Sequence, residues 1–331
     1  MTTPVLICDD SSFARKQMAR ALPSDLDVSV TFAGNGEEGL QAIKAGKGDL
    51  LFLDLNMPVM DGYEVLKAIR EQDLPTMVIV VSGDIQPDAY QRVMKMGALE
   101  FVKKPVKTEE IVDILDKYGI RSTPTAGKKA VSIDFEVDSF DGLQEIANIA
   151  MGQAADLLAK VLGAFVVMPI PKVRTISAHE LQAVLTRIAT DNTVSGLCQG
   201  FIGPGVAGEA LLTFNKSSFT DMAELVKYKG EIDDTVKLEL LMDVASILIG
   251  ACLNSISEQL DIGFSQGHPI VLGHHIQIEK LIDHNSTRWN NTLAIELGCR
   301  IENRQISCDL VLLFTEDSVK KLNDLFSYIA K

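Results

Sequence analysis

The first 120 residues of the sequence alternate between short apolar runs and segments with helical periodicity. The apolar runs lack the alternation of a half-exposed strand, so they suit strands that are buried on both faces. They lie at Val5–Cys8, Val28–Phe32, Leu50–Leu53, Met77–Val81 and Leu99–Val102. Helix-length segments follow them at Ser12–Leu22, Glu37–Ala45, Gly62–Glu71, Pro87–Met96 and Thr108–Tyr118. This order predicts a five-stranded, doubly wound parallel sheet, whose ligands bind outside the carboxyl ends of the strands.

Polar side chains stand at the ends of these predicted strands. They are Asp9 and Asp10 after the first run, Asp54 after the third, Ser82 after the fourth and Lys104 shortly after the fifth. Carboxylates that converge on one crevice repel each other and need a cation, and an all-oxygen site suits Mg²⁺. Each aspartate alone is more commonly a helix cap. Together with the lysine and the hydroxyl, they predict a site for a metal ion and one phosphoryl group, with Asp54 as the nucleophile.

The segments CDDSS, LDLNMPVMDG, VSGD and FVKKP resemble the CheY-like receiver domains of two-component signalling, over about residues 3–120. The resemblance implies that Asp54 accepts phosphate from a histidine kinase. It further implies that Mg²⁺ is held by Asp9, Asp10, Asp54 and the backbone carbonyl of Asn56. Phosphoryl oxygens would be bound by Ser82 and Lys104, and Phe101 would be an aromatic switch. A cis peptide bond between Lys104 and Pro105 is also implied.

Charge and cysteine content limit the classes of partner. The chain has 31 Lys and Arg against 45 Asp and Glu, a formal net charge of −14. This balance disfavours nucleic acids and anionic membranes as partners. The cysteines form no CxxC pair, which indicates free thiols in a reducing compartment. Without a signal peptide or an uncharged apolar stretch of about 18 residues, we expect a cytoplasmic protein.

A segment of different composition separates two predicted domains. Residues 121–131, RSTPTAGKKAV, are small, polar or basic and predict a flexible connector. We therefore expect a receiver domain over residues 1–120, a linker over 121–132 and a second domain over 133–331.

The second domain repeats one order of predicted elements. The first half has a helix at about Asp141–Leu162, strands at Ala164–Val173, Thr193–Ile202 and Glu209–Phe214, and a helix at Ser217–Lys227. The second half has a helix at about Thr235–Leu260, strands near His268–Lys280, Leu293–Glu302 and Gln305–Phe314, and a helix at Glu316–Ile329. Such a repeat predicts one α/β domain of two pseudo-equivalent halves, with two long helices in corresponding positions.

Each half carries one polar triplet, followed after 22 residues by a proline. The triplets are Asp141, Glu145 and Asn148 before Pro171, and Glu239, Asp243 and Ser246 before Pro269. Glu145 and Asn148 share one helix face, which we expect to be exposed. A carboxylate there can pair with a cation, and an amide can orient water for in-line attack on phosphorus. From spacing alone, a polar face held by local hydrogen bonds is the commoner interpretation.

The first triplet and its proline resemble the signature of the CheC, CheX and FliY phosphatases, over about residues 135–331. That family dephosphorylates CheY-like receivers. The resemblance implies that Asn148 orients the hydrolytic water, that Glu145 pairs with the lysine of the target receiver, and that this domain needs no metal of its own. Asp243 is one methylene shorter than glutamate and Ser246 lacks the amide, so we expect a degenerate second site.

The leading hypothesis is a response regulator whose receiver controls a phosphatase for aspartyl-phosphorylated receivers. A non-catalytic, phosphorylation-dependent docking module and a phosphate sink stay open as alternatives. We expect phosphorylation of Asp54 to raise the activity toward a separate receiver. In a rival arrangement, the linker presents Glu145 and Asn148 to Asp54 of the same chain. Glu145 then pairs with Lys104, and the chain dephosphorylates itself.

Overall fold

A computed structural model describes residues 2–120, 139–181, 183, 194–272 and 292–329 of the chain. The chain divides into two compact units, Met1–Glu145 and Ile146–Lys331. The predicted linker at 121–132 lies outside the described residues.

The first unit contains a parallel sheet of five strands in the order β2-β1-β3-β4-β5. The strands are β1 Thr3–Cys8, β2 Val28–Ala33, β3 Leu50–Leu53, β4 Met77–Ser82 and β5 Glu100–Lys103. The helices are α1 Ser12–Ala21, α2 Gly36–Lys44, α3 Gly62–Glu71, α4 Pro87–Met96 and α5 Thr108–Lys117. The predicted doubly wound sheet is thereby confirmed.

Apolar side chains cover both faces of this sheet. Along β1, Leu6 and Cys8 belong to one buried cluster, while Val5 and Ile7 belong to a second cluster. Successive residues of a strand point to opposite faces, so every residue of a strand that is covered on both sides must be apolar. This explains the unbroken apolar runs of β1 and β3. The expectation of burial on both faces is wrong for β2, whose sequence VSVTFA alternates apolar and polar residues and which is partly exposed at the edge of the sheet.

Gly62→Ala should destabilise the first unit by about 1–3 kcal/mol. A Cβ atom at Gly62 would lie 2.3 Å from the carbonyl oxygen of Asp54 and 2.8 Å from the Cα atom of Leu55. Both are backbone atoms that cannot rotate away. Gly34→Ala is the matched control, since its Cβ would meet only two side-chain ends, the nearer at 3.6 Å. Denaturant unfolding of the full chain measures both variants, and equal stabilities would contradict the close approach at Gly62.

The second unit is built on an antiparallel sheet of eight strands. Its strands are β6 Val166–Val167, β7 Lys172–Ile176, β8 Val194–Gly203, β9 Val206–Asn215, β10 Ser265–Gln266, β11 Ile270–Leu272, β12 Thr292–Ile301 and β13 Ser307–Phe314. Its helices include α7 Ser218–Leu225, α8 Asp234–Leu260 and α9 Glu316–Ile329. The long helix α6, Ser139–Leu162, begins in the first unit and continues in the second.

The sheet of the second unit repeats itself about its centre. Its order is β10-β8-β9-β13-β12-β6, with β11 also paired to β8 and β7 also paired to β12. The hairpins β8-β9 and β12-β13 meet through β9 and β13, and the short strands of each half pair with a long strand of the other half. This exchange confirms the predicted α/β domain of two pseudo-equivalent halves.

One predicted strand of this domain needs correction, and another lies partly outside the described residues. The prediction of one strand at Ala164–Val173 is wrong, because two short strands, β6 and β7, flank a segment with Pro169 and Pro171. Proline has no N–H for the ladder and ends the pairing there. The strand predicted near His268–Lys280 is described only as far as residue 272, where β11 follows Pro269.

All five cysteines are free and buried, as expected for core thiols. Among the described helices, none combines the length and the apolar character needed to cross a membrane.

Candidate functional site

The carboxyl ends of β1 and β3 bring three aspartates together. Cys8 and Leu53 are partners in the β1-β3 register, so the residues that follow them, Asp9 and Asp54, leave the sheet side by side. One carboxylate oxygen from each of Asp9, Asp10 and Asp54 lies within 4.8 Å of the other two. A cluster of hard carboxylate oxygens is the donor set that Mg²⁺ prefers, so these residues fit the predicted ion.

Lys104 lies at the centre of the acidic cluster. Its Nζ atom is 2.8 Å from Asp9 Oδ2, 3.3 Å from Asp54 Oδ1 and 3.0 Å from Glu145 Oε1. The side chain is only 4% exposed, and the Lys104–Pro105 peptide bond is cis, as predicted. One ammonium group therefore faces several carboxylates away from water.

Burial and mutual repulsion shift the protonation of this cluster. Burial raises the pKa of Asp10 to about 7, and repulsion by Asp9 and Asp54 acts in the same direction. Burial also raises the pKa of Asp54 to about 6 against the attraction of Lys104. For Lys104, burial alone would lower the pKa, but Asp54, Asp9 and Glu145 raise it well above its usual range. Lys104 therefore stays charged, and the surplus negative charge favours binding of a cation.

The other residues predicted for this site lie on or near β3, β4 and β5. The Asn56 N–H donates to Asp54 Oδ2 at 3.1 Å. Ser82 is fully buried at the end of β4, and its Oγ accepts a hydrogen bond from the Asp84 N–H. Phe101 on β5 is partly buried and lies edge-on to the half-exposed ring of Tyr90, with centroids 5.9 Å apart. The strand ends thus hold Ser82 and Lys104 at the same edge as the aspartates.

The start of α6, within the first unit, adds two carboxylates to this edge. Glu145 makes the ion pair with Lys104 described above, and its own side chain is 3% exposed. Burial raises the pKa of Glu145, and the charge of Lys104 opposes this shift by attracting the ionised form. One turn earlier, Asp141 Oδ2 accepts hydrogen bonds from the Ser12 hydroxyl and from the Phe13 N–H, the latter at 2.9 Å.

The sequence pattern assigns Asp141 no role of its own. The available signal was its position four residues before Glu145, which places both side chains on one face of a helix. Its partners Ser12 and Phe13 are more than a hundred residues away in the sequence. Local patterns carry no information on such a pairing.

The remaining predicted residues lie on the two long helices. Asn148 follows Glu145 on α6, in the second unit. The expectation that Glu145 and Asn148 form an exposed face is wrong, because both are buried, Glu145 through its ion pair. On α8, Asp243 and Ser246 are exposed, and the Ser246 hydroxyl donates to the Met242 carbonyl at 2.8 Å. That hydroxyl is therefore engaged by its own helix.

Comparison with known proteins finds a family match within the first unit. Residues 5–116 match the family model described as the response regulator receiver domain. A protein-glutamate methylesterase/protein-glutamine glutaminase of Geobacter sulfurreducens is 41% identical over 113 residues, 33% of this chain and 30% of that protein. The probable C4-dicarboxylate response regulator DctR of Bacillus subtilis is 42% identical over 115 residues, 34% of this chain and 51% of that protein. The chain thus spans about a third to a half of the length of these relatives.

Among solved structures, the chain is similar to FliY of Thermotoga maritima. The similarity has a TM-score of 0.44 at 22% sequence identity, and it covers 60% of this chain and 100% of that chain.

Proposed function

We propose, from the response regulator receiver domain at residues 5–116, that this chain accepts phosphate on Asp54 from a histidine kinase and hydrolyses the aspartyl phosphate of CheY-like receivers. The observation that supports the proposed hydrolysis is the ion pair between Lys104 and Glu145, in which Nζ and Oε1 are 3.0 Å apart. It joins the lysine of a receiver site to the helix that bears the Glu145 and Asn148 pair.

Phosphorylation uses the groups at the strand ends. The Asp54 carboxylate is the nucleophile, and Lys104 and Ser82 bind the phosphoryl oxygens. Asp9, Asp10 and Asp54, with the Asn56 carbonyl, hold Mg²⁺, which when bound neutralises charge on the transferring phosphoryl group. The cluster of carboxylate oxygens within 4.8 Å supports this assignment.

Hydrolysis uses the polar face of α6. Glu145 pairs with Lys104 and so holds the start of the helix, within the first unit, near the carboxyl group that is phosphorylated. Asn148 lies three residues further along the same helix face. Its amide offers a donor and an acceptor together, so one side chain can fix both the position and the orientation of a water molecule. That is the requirement for in-line attack on phosphorus.

Glu145→Gln should slow dephosphorylation by at least about tenfold, because it removes the charge from a buried ion pair while keeping the shape of the side chain. Asp243→Asn, at the corresponding position of α8, is the matched control and should change little, since Asp243 is exposed. The full chain is phosphorylated with acetyl phosphate and Mg²⁺, the donor is removed, and the loss of phosphoprotein is followed. A second series follows a separate phosphorylated CheY-like receiver.

The proposal fails if Glu145→Gln and Asp243→Asn give the same rates in both series. In that case the second domain is a docking module without catalysis, and Asp54 loses its phosphate at the rate of the receiver alone.

A further inference from the structure

We propose that the receiver of the same chain is the substrate of the phosphatase helix, so that the phosphorylated protein hydrolyses its own Asp54 phosphate in cis. This inference rests on the proposed function and names the substrate of that site. Its basis is the set of contacts that the start of α6 makes within the first unit.

Two contacts hold the start of α6 within the first unit. Glu145 binds Lys104, which follows β5, and Asp141 binds the start of α1, on the other side of the Asp54 strand in the sheet order. A single exposed ion pair would stabilise the position of the helix very little. Here Glu145 and Lys104 are both almost fully buried. These two contacts, one helical turn apart and on different elements, hold the part of α6 that belongs to the first unit.

The receiver is chemically matched to Asp141. Ser11 caps α1 by accepting the Ala14 N–H, and the first turn of α1 contains no acidic residue. Asp141 accepts the Phe13 N–H, one of the donors that a helix start leaves without an internal partner. Its carboxylate also supplies the negative charge that the positive end of the helix dipole favours. Asp141 of α6 thus supplies the carboxylate that the first turn of α1 does not contain.

The duplicated helix α8 serves as an internal comparison. Its corresponding residues Glu239, Asp243 and Ser246 are all exposed. The two helices share the spacing of the triplet, so spacing alone does not bury these positions. The ion pair and the helix cap belong to the triplet that keeps the glutamate and the asparagine.

The proposed reaction is hydrolysis of an acyl phosphate. The oxygen of a water held by Asn148 forms a bond to phosphorus while the bond between phosphorus and the Asp54 carboxyl oxygen breaks. Asp54 keeps the electron pair of that bond and returns to its carboxylate form. Both protons of the water leave on the released dihydrogen phosphate, which then equilibrates with solvent. No oxidant, reductant or further co-reactant is needed.

The test mixes two full-length variants with complementary defects. Asn148→Ala is phosphorylated on Asp54, and Asp54→Asn, which keeps Asn148, is added in excess. Under the cis proposal, wild-type decay is first-order and constant over about a 100-fold range of concentration, because a tethered site acts at fixed effective concentration. The phosphorylated Asn148→Ala chain then decays slowly, and the added chain does not accelerate it.

Acceleration by the added chain, or wild-type decay that quickens with concentration, would overturn the cis proposal and leave the proposed function standing as a reaction in trans. Equal decay of wild type and Asn148→Ala, with and without the added chain, would overturn the proposed function itself. The two failures are therefore distinguishable.

Variants of Asp141 provide an independent test of the cis proposal, in which Asp141 acts as a positioning residue. Asp141→Asn should slow the concentration-independent decay about three- to tenfold, whereas Glu239→Gln, the matched change on α8, should not. Asp141→Glu, which keeps the carboxylate, should retain most of the rate. If Asp141→Asn instead leaves decay unchanged and raises activity on a separate receiver, the contact covers the helix rather than presenting the substrate, and the cis proposal is wrong.

Discussion

Asp54→Asn should abolish phosphorylation of the full chain by acetyl phosphate. The Asp54 carboxylate is buried, with Lys104 Nζ 3.3 Å from Oδ1 and the Asn56 N–H on Oδ2. An amide nitrogen in place of one oxygen removes the nucleophile but keeps the size of the side chain. Asp113→Asn is the matched control, because Asp113 is exposed on α5. Mass spectrometry of the intact protein measures the phosphorylated fraction.

Chelation of Mg²⁺ should reproduce this loss in the wild type. Asp9, Asp10 and Asp54 already crowd their oxygens within 4.8 Å, and an incoming phosphoryl group adds further negative charge. Lys104 alone cannot balance this charge. Undiminished phosphorylation of Asp54→Asn would place the phosphoacceptor elsewhere, and undiminished phosphorylation in EDTA would remove the metal from the proposal.

The receiver site could be predicted because its residues follow a local rule. In a parallel sheet, strand ends share one edge, so Asp9, Asp54 and Ser82 could be assigned to one place before any contact was known. The β1-β3 register then brings Asp9 and Asp54 side by side. Apolar content alone predicts one strand where the structure has the two short strands β6 and β7, because the two prolines between them interrupt the pairing.

The contacts of α6 follow no local rule. The spacing of Glu145 and Asn148 predicts that they share one helix face. It leaves open whether Glu145 pairs with Lys104 of the same chain. It predicted an exposed face, since polar side chains among apolar neighbours are commonly solvated. Glu145 is instead buried against Lys104, where the ion pair offsets the cost of removing a carboxylate from water. Such a pairing depends on a partner that periodicity does not reveal.

Asn148→Ala should slow the loss of phosphate from Asp54 by about 10²-fold or more, the scale seen when one donor to a transition state is removed. Asn148 is buried, so the variant also leaves a small cavity. Unfolding measurements on the same preparation therefore accompany the rate, and a native transition shows that the fold is retained. Ser246→Ala is the matched control and should change the rate little.

Asn148→Ser tests the same prediction more sharply, because it gives α6 the serine that α8 has at the corresponding position, Ser246. On α8, the Ser246 hydroxyl donates to the carbonyl four residues earlier, that of Met242. A serine at position 148 can bond in the same way to the Gln144 carbonyl, and its short stem offers no amide to hold the water. We therefore expect Asn148→Ser to be as slow as Asn148→Ala. A serine variant with wild-type decay would show that the reaction does not need the amide at position 148. A Ser246→Ala variant as slow as Asn148→Ala would show that the triplet of α8 is not degenerate.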